Sequence, residues 1–185
     1  LNNKPFIDLL IPWIIDVTVT SIFATMLPFF ISYVINPQKY CLTNGIELNS
    51  DVCSTTNWLG VTISVFFIFC IGSTLLWHYF LPYLGKKKVW QTYSVISVVT
   101  FSLFLICDEG SMFLLVIFSI ACAIPAGGSY LNDVFVSDII DYDEFITGKR
   151  NEGIYIVFSS FTPKIVGIFA QSLPLTIMAC NTTLI

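Results

Sequence analysis

The chain has 185 residues, 56% of them hydrophobic and 11% charged, with a mean hydropathy of +0.83 and a formal net charge of −4. Soluble domains carry roughly 25% charged residues, so the composition excludes an ordinary water-soluble globule and points to an integral membrane protein. The longest run of like charge, Lys86-Lys87-Lys88, is too short for a nucleic-acid surface, and no nucleic-acid partner is expected.

Crossing about 30 Å of hydrocarbon as a helix takes about 20 apolar residues. In chain order, five stretches meet that length: 6–35, 58–81, 89–107, 111–136 and 153–179. None alternates residue by residue as a barrel strand does. The expected fold class is therefore an all-α polytopic helical bundle, in which helices satisfy the backbone polar groups inside lipid. Pro12, Pro28, Pro125 with Gly127 and Gly128, Pro163 and Pro174 are expected to interrupt the spans. Such breaks occur around transporter binding sites, and Pro and Gly are also simply frequent in membrane helices. The chain starts at Leu1 and stops at CNTTLI, and the expectation is a piece of a longer transporter.

Lys and Arg set the expected orientation. Five spans place Lys4, Lys86, Lys87, Lys88, Lys149 and Arg150 on one side, against Lys39 alone on the other. The 137–152 segment is thus expected in the cytoplasm and the 36–57 loop outside or in a lumen. Asn181-Thr182-Thr183 fits the N-glycosylation pattern on that outer side. Cys41 and Cys53 share the outer loop, where a disulfide can persist, although spacing alone leaves their pairing open. Cys70, Cys107, Cys122 and Cys180 show no metal-ligand spacing, and no metal is expected.

Two charges fall inside spans. Asp16 lies about ten residues into the first and Lys164 about eleven into the last, each roughly 15 Å deep at 1.5 Å per residue. A lone charge there costs at least about 2.5–3.5 kcal/mol. The expectation is that both face the bundle interior, either toward each other or into one polar cavity on a solute or ion pathway. A structural ion pair joining two helices is the plainer alternative. Asp133, beside Asn132, is a weaker pathway candidate near the cytoplasmic end of the fourth span. His78 is read as an interfacial side chain rather than a proton relay.

About a third of the chain's charged residues sit in one stretch, SDIIDYDEFITGKRNEG at 137–153. The pattern D-x-x-D-Y-x-E, a short gap, R-x-E-G and a Lys a dozen residues on resembles the glycoside–pentoside–hexuronide:cation symporters of the major facilitator superfamily. The matching residues are Asp138, Asp141, Tyr142, Glu144, Arg150, Glu152 and Lys164. NKPFIDLLIPW and YLGKKKVW, weaker alone, resemble the family's entry into helix seven and its basic loop between helices eight and nine.

The resemblance covers essentially the whole chain and implies that the five spans are helices 7–11, with the N-terminal half and the last helix lying outside it. It also implies symport of a small solute such as a sugar by alternating access. Sodium or a proton would be the coupling cation, with no other cofactor. Lys164 would lie at or near the substrate and cation cavity. The main cation carboxylates belong to the other half, so none is assigned here.

The charged turn itself reads as an electrostatic latch, a cytoplasmic gate formed by Asp138, Asp141, Tyr142, Glu144, Arg150 and Glu152. Asp138 and Asp141 are three apart and share a helix face. Carboxylates at a helix C-terminus oppose the helix dipole, so Lys149, Arg150 or another basic loop must offset them. Rim pairs worth about 0–1 kcal/mol can break and reform as two halves rock.

The expected partners are membrane lipid, a small-molecule solute and the N-terminal half of the same transporter. Trp13, Tyr33, Trp58 and Tyr130 are candidate sugar platforms, although aromatics also favour membrane interfaces. A lysophospholipid transporter of the same superfamily is the alternative, with Lys164 meeting phosphate. A non-transporting scaffold or receptor of this fold is another. An enzyme is not expected: the chain has no paired intramembrane aspartates, no H-E-x-x-H and no G-x-S-x-G.

Overall fold

The computed structural model describes residues 4–47 and 51–182, with the backbone alone at Lys4, Asn181 and Thr182. Its elements are α1 (Lys4–Phe30), continued by a π-helical turn (Ile31–Ile35), α2 (Pro37–Thr43), a 3-10 turn (Asp51–Cys53), and α3 (Thr55–Leu84). There follow α4 (Lys86–Leu103) with a closing 3-10 turn (Phe104–Ile106), α5 (Met112–Ala126), α6 (Leu131–Thr147) and α7 (Glu152–Thr182). Among the described residues there is no strand. Five stretches are long and apolar enough to cross a membrane: Pro5–Asn44, Thr55–Leu84, Lys86–Ile106, Met112–Thr147 and Glu152–Cys180. The all-α polytopic bundle follows.

Three boundaries differ from the sequence expectation. The connection expected over 82–88 shrinks to Gly85, whose φ of 77° lets α3 end and α4 begin without a loop. The three lysines are therefore the first turn of α4. The fourth span is two helices, α5 and α6, broken at Gly127–Tyr130, and helix continues through the charged stretch to Thr147. The other prolines do not interrupt their spans. α1 runs through Pro12 and Pro28, and α7 through Pro163 and Pro174. A proline removes one backbone bond, and the rest of a long apolar helix in lipid has no better alternative than to continue.

The chain forms two compact units, one from Leu27–Leu131 and one from the flanking stretches Leu1–Met26 and Asn132–Ile185. In the first, α3 packs chiefly on α5, and α4 touches both. The contact face includes small residues: Ser73, Ala123, Gly127 and Gly128 meet there and are all buried. Small side chains let membrane helices approach closely, where van der Waals packing replaces the missing hydrophobic drive.

The α5 break is satisfied locally. Pro125 has no N–H, and Gly128 N–H turns back to Pro125 O at 2.7 Å rather than to Ile124 O. The Trp77 indole of α3 donates to the freed Ile124 carbonyl at 2.7 Å, and Ser73 Oγ lies 2.8 Å from Ala123 O. Non-helical backbone at membrane depth is tolerated only where protein buries it. Here Trp77 is 3% exposed and Ala123 0%. A β-carbon on Gly127 would fall 2.7 Å from Thr74 N and 2.9 Å from Cys70 O, so glycine is needed for the approach.

The same unit carries a pinned cap at one end. Cys41 and Cys53 are joined as a disulfide, with Cα atoms 5.9 Å apart and both residues buried. Gly110, at φ 80°, donates its N–H to Ile35 O at 2.9 Å, while the Tyr40 ring occupies the space a β-carbon there would need. Lys39 Nζ meets Glu109 Oε1 at 2.7 Å, and Trp58 Nε1 donates to Val52 O at 2.8 Å. The end of the π turn, the α4–α5 turn and the start of α3 are thus tied through one short segment.

The flanking unit is held differently. Phe6, Leu9 and Trp13 form an i, i+3, i+7 stripe on α1 and are all buried. Phe6 packs edge-on against Tyr155 of α7, with ring centroids 5.1 Å apart, and against Phe158 at 6.1 Å. From α6, Val136, Ile139 and Ile140 are buried.

Candidate functional site

The charged turn lies wholly within the flanking unit, between α6 and α7. Helix α6 stops at Gly148, which at φ 66° donates its N–H to Glu144 O at 2.9 Å, a left-handed cap that costs glycine nothing in sterics. Thr147 Oγ1 donates to Asp143 O at 2.7 Å, and Lys149 N–H donates to Thr147 Oγ1 at 3.3 Å. Asn151 Nδ2 reaches back to Asp143 Oδ2 at 3.1 Å. The turn is therefore fixed by its own Thr, Gly and Asn before any ion pair is counted.

Arg150 supplies the countercharge. Its Nε donates to Glu152 Oε2 at 2.9 Å, and Nη1 lies 3.7 Å from Glu144 Oε2. Hydrogen bonding to Glu152, its charge, and then the charges of Glu144 and Asp141 hold the guanidinium above its ordinary range. Glu152 also stands in the first turn of α7, where the helix dipole favours it. Asp138, Asp141 and Tyr142 are exposed on α6, while the intervening Ile139 and Ile140 are buried. Lys149 makes no ion pair among the described residues.

Asp16 and Lys164 are placed on different sides of their helices. Asp16 is half-buried, and its position, three residues after Trp13, continues the stripe of Phe6, Leu9 and Trp13. Lys164 is exposed and makes no ion pair among the described residues, so it does not pair directly with Asp16 in this conformation. The reason is register: nine residues from the buried Tyr155 turn a helix by about 180°, which sets Lys164 on the opposite side of α7. Equal depth fixed height along the axis and left azimuth open. Asp133 is exposed in the first turn of α6.

Of the aromatic candidates, Trp13 is buried, Tyr33 is exposed, Trp58 is half-buried and bound to Val52 O, and the Tyr130 hydroxyl is buried without a partner among the described residues. Neighbouring Asn132 likewise buries an unpartnered Oδ1. The candidate glycosylation side chain of Asn181, with Thr182 and Thr183, lies outside the described residues. Trp77 and Ser73, which cap the end of α5, carry no sequence motif of their own. The signal that pointed to them is Pro125 with Gly127-Gly128, which marks a break needing donors from a neighbour. Among the described residues no group of His, Cys, Asp or Glu is arranged to hold a metal ion. Burial, with Asp108 beside it, pushes the Cys107 thiol up.

The fold is a set of helices long and apolar enough to cross a membrane, one of them broken at Gly127–Tyr130 and one carrying Lys164 with no ion pair among the described residues. The chain belongs to the major facilitator superfamily's sugar-transport family: the profile described as MFS/sugar transport protein matches residues 48–181, more than two-thirds of the chain. The comparisons with curated proteins and with solved structures found no match.

Proposed function

We propose that this domain takes part in cation-coupled symport of a sugar-like solute by alternating access, with the α6–α7 turn as a cytoplasmic gate and Lys164 in the solute and ion pathway. The observation that carries the reading is the position of Lys164. It stands on the side of α7 opposite the buried Tyr155, in a span that is mostly unburied. A charge at that depth needs a polar surrounding, and a cavity shared with the other half of a transporter would supply one. Asp16 and Asp133 are the acidic candidates for the same pathway, and the coupling ion is sodium or a proton.

The gate role rests on geometry that is rigid in the turn and weak at its rim. The internal Thr147, Gly148 and Asn151 bonds hold the shape. Arg150, exposed, is then free to exchange Glu144 or Glu152 for carboxylates elsewhere as the protein rocks. Asp138, Asp141 and Tyr142 present polar groups beside it.

The test is uptake of radiolabelled sugars into proteoliposomes holding the full-length transporter, with and without sodium or proton gradients. Lys164→Gln is expected to lower uptake at least tenfold at unchanged expression. Gradient-independent uptake would remove cation coupling. Uptake of a lysophospholipid in place of sugars would move the substrate to the alternative class, and normal uptake by Lys164→Gln would end the pathway assignment.

A further inference from the structure

Between Ser159 and Thr176, helix α7 carries seven polar side chains, and they divide by what they bond. Four fold back on their own helix. Ser159 Oγ donates to Ile156 O at 3.0 Å, Thr162 Oγ1 to Phe158 O at 2.7 Å, Ser172 Oγ to Phe169 O at 3.3 Å, and Thr176 Oγ1 to Ser172 O at 2.8 Å. Ser160, Lys164 and Gln171 do not. All three are exposed, and their side chains make no hydrogen bond or ion pair among the described residues. Helix register puts these three together: Ser160 and Gln171 lie within about 40° of Lys164 around the axis, and the four self-bonded residues stand about 80° or more away.

A hydroxyl, an amide and an ammonium left unbonded against acyl chains would each be unfavourable. From Ser160 to Gln171 the helix rises about 17 Å, so the three groups mark a track rather than one spot. Gly167 falls on the same side, between Lys164 and Gln171 and within about 60° of the lysine. A β-carbon there would meet nothing within 4 Å, so packing in this unit does not require the glycine. The missing side chain leaves the surface between the two polar groups open. Pro163 and Pro174 extend the pattern to the backbone. Their ring nitrogens cannot donate to the carbonyls four residues back, at Ser159 and Ala170, which immediately precede Ser160 and Gln171 in the chain.

We propose that Ser160, Lys164, Gly167 and Gln171 line one water-facing track along α7, and that Gln171 is a second hydrogen-bonding station for a hydroxyl-bearing solute, about 11 Å along the axis from Lys164. The proposal rests on Lys164 lying in the solute pathway. A glutamine amide both donates and accepts, as does a solute hydroxyl, so Gln171 binds a neutral polyol without adding a charge to the track. The open surface at Gly167 lets the body of the solute lie close to the helix between the two stations.

The experiment uses the full-length transporter in proteoliposomes, with its free cysteines, Cys70, Cys107, Cys122 and Cys180 among them, replaced by serine and the Cys41–Cys53 disulfide kept. Ser160→Cys and Gln171→Cys are compared with Phe169→Cys and Leu173→Cys, which are exposed on other sides of the same helix. A charged, membrane-impermeant methanethiosulfonate is supplied on both sides of the bilayer. The first two are expected to react about tenfold or more faster, because a thiol in apolar surroundings stays protonated. Equal rates for Gln171→Cys and Leu173→Cys overturn the track, whatever Lys164→Gln does to uptake. In uptake of radiolabelled sugars, Gln171→Ala is expected to raise KM about tenfold with kcat little changed. Gly167→Val is expected to lower uptake at an unchanged thermal midpoint. An unchanged KM in Gln171→Ala overturns the hydrogen-bonding role. A wild type that takes up no sugar, yet labels fast at Gln171→Cys, upholds the track and overturns the solute class.

Discussion

The two units of this chain are held together by different physics. The Leu27–Leu131 unit uses directional bonds in buried places: indole to carbonyl, hydroxyl to carbonyl, a disulfide, and a glycine against foreign backbone. The unit of Leu1–Met26 and Asn132–Ile185 uses an aromatic stripe inside and ion pairs at an exposed rim. Buried polar bonds are expensive to lose because the orphaned partner stays dry, whereas rim pairs exchange with water at little cost. The contrast teaches a division of labour: the first unit is braced to keep its shape, and the second carries its charge where it can be rearranged.

Substitutions sharpen that contrast, the strongest first. Gly127→Leu forces a side chain into the backbone of α3 and is expected to abolish folded protein, read as loss of the monodisperse peak in size-exclusion chromatography. Replacing both cysteines, Cys41→Ser with Cys53→Ser, removes a cross-link over a short loop and is expected to cost about 2–4 kcal/mol, seen as a lower thermal midpoint in detergent. Trp77→Phe keeps the ring and orphans Ile124 O, at about 1–3 kcal/mol, and the same melt measures it. Arg150→Gln, by contrast, should leave the thermal midpoint where it was and change only the accessibility of single cysteines placed on the α6–α7 turn during transport. A large stability loss from Arg150→Gln, or none from Trp77→Phe, would break the comparison. Smallest of all, Cys107 should alkylate far more slowly than an exposed thiol at pH 8, since burial and Asp108 both disfavour its thiolate.

Much of this was readable beforehand, for identifiable reasons. Hydrophobic length alone placed the five crossings, because lipid leaves backbone no choice but helix. The charged turn was legible down to its Thr-Gly-Lys-Arg sequence, since Gly148 and Thr147 act through local bonds. The directions in which Asp16 and Lys164 face were not, because a count of residues gives depth while packing decides which way a face turns: Phe6, Leu9 and Trp13 are buried on one side of α1, and Tyr155 is buried on the side of α7 away from Lys164. The prolines misled in the other direction. Only at Pro125, followed by two glycines and backed by Trp77, does a neighbour supply donors that make a real break affordable.

Gly85 has a consequence for anyone who would manipulate the protein. With α3 ending at Leu84 and α4 starting at Lys86, the hairpin has no slack, and its only turning residue sits at φ 77°. A protease would find no extended segment there, and an epitope or fluorescent protein spliced in would have to unwind one helix or the other. The junction of Gly148 to Asn151, with four residues outside helix, is the better place for a label.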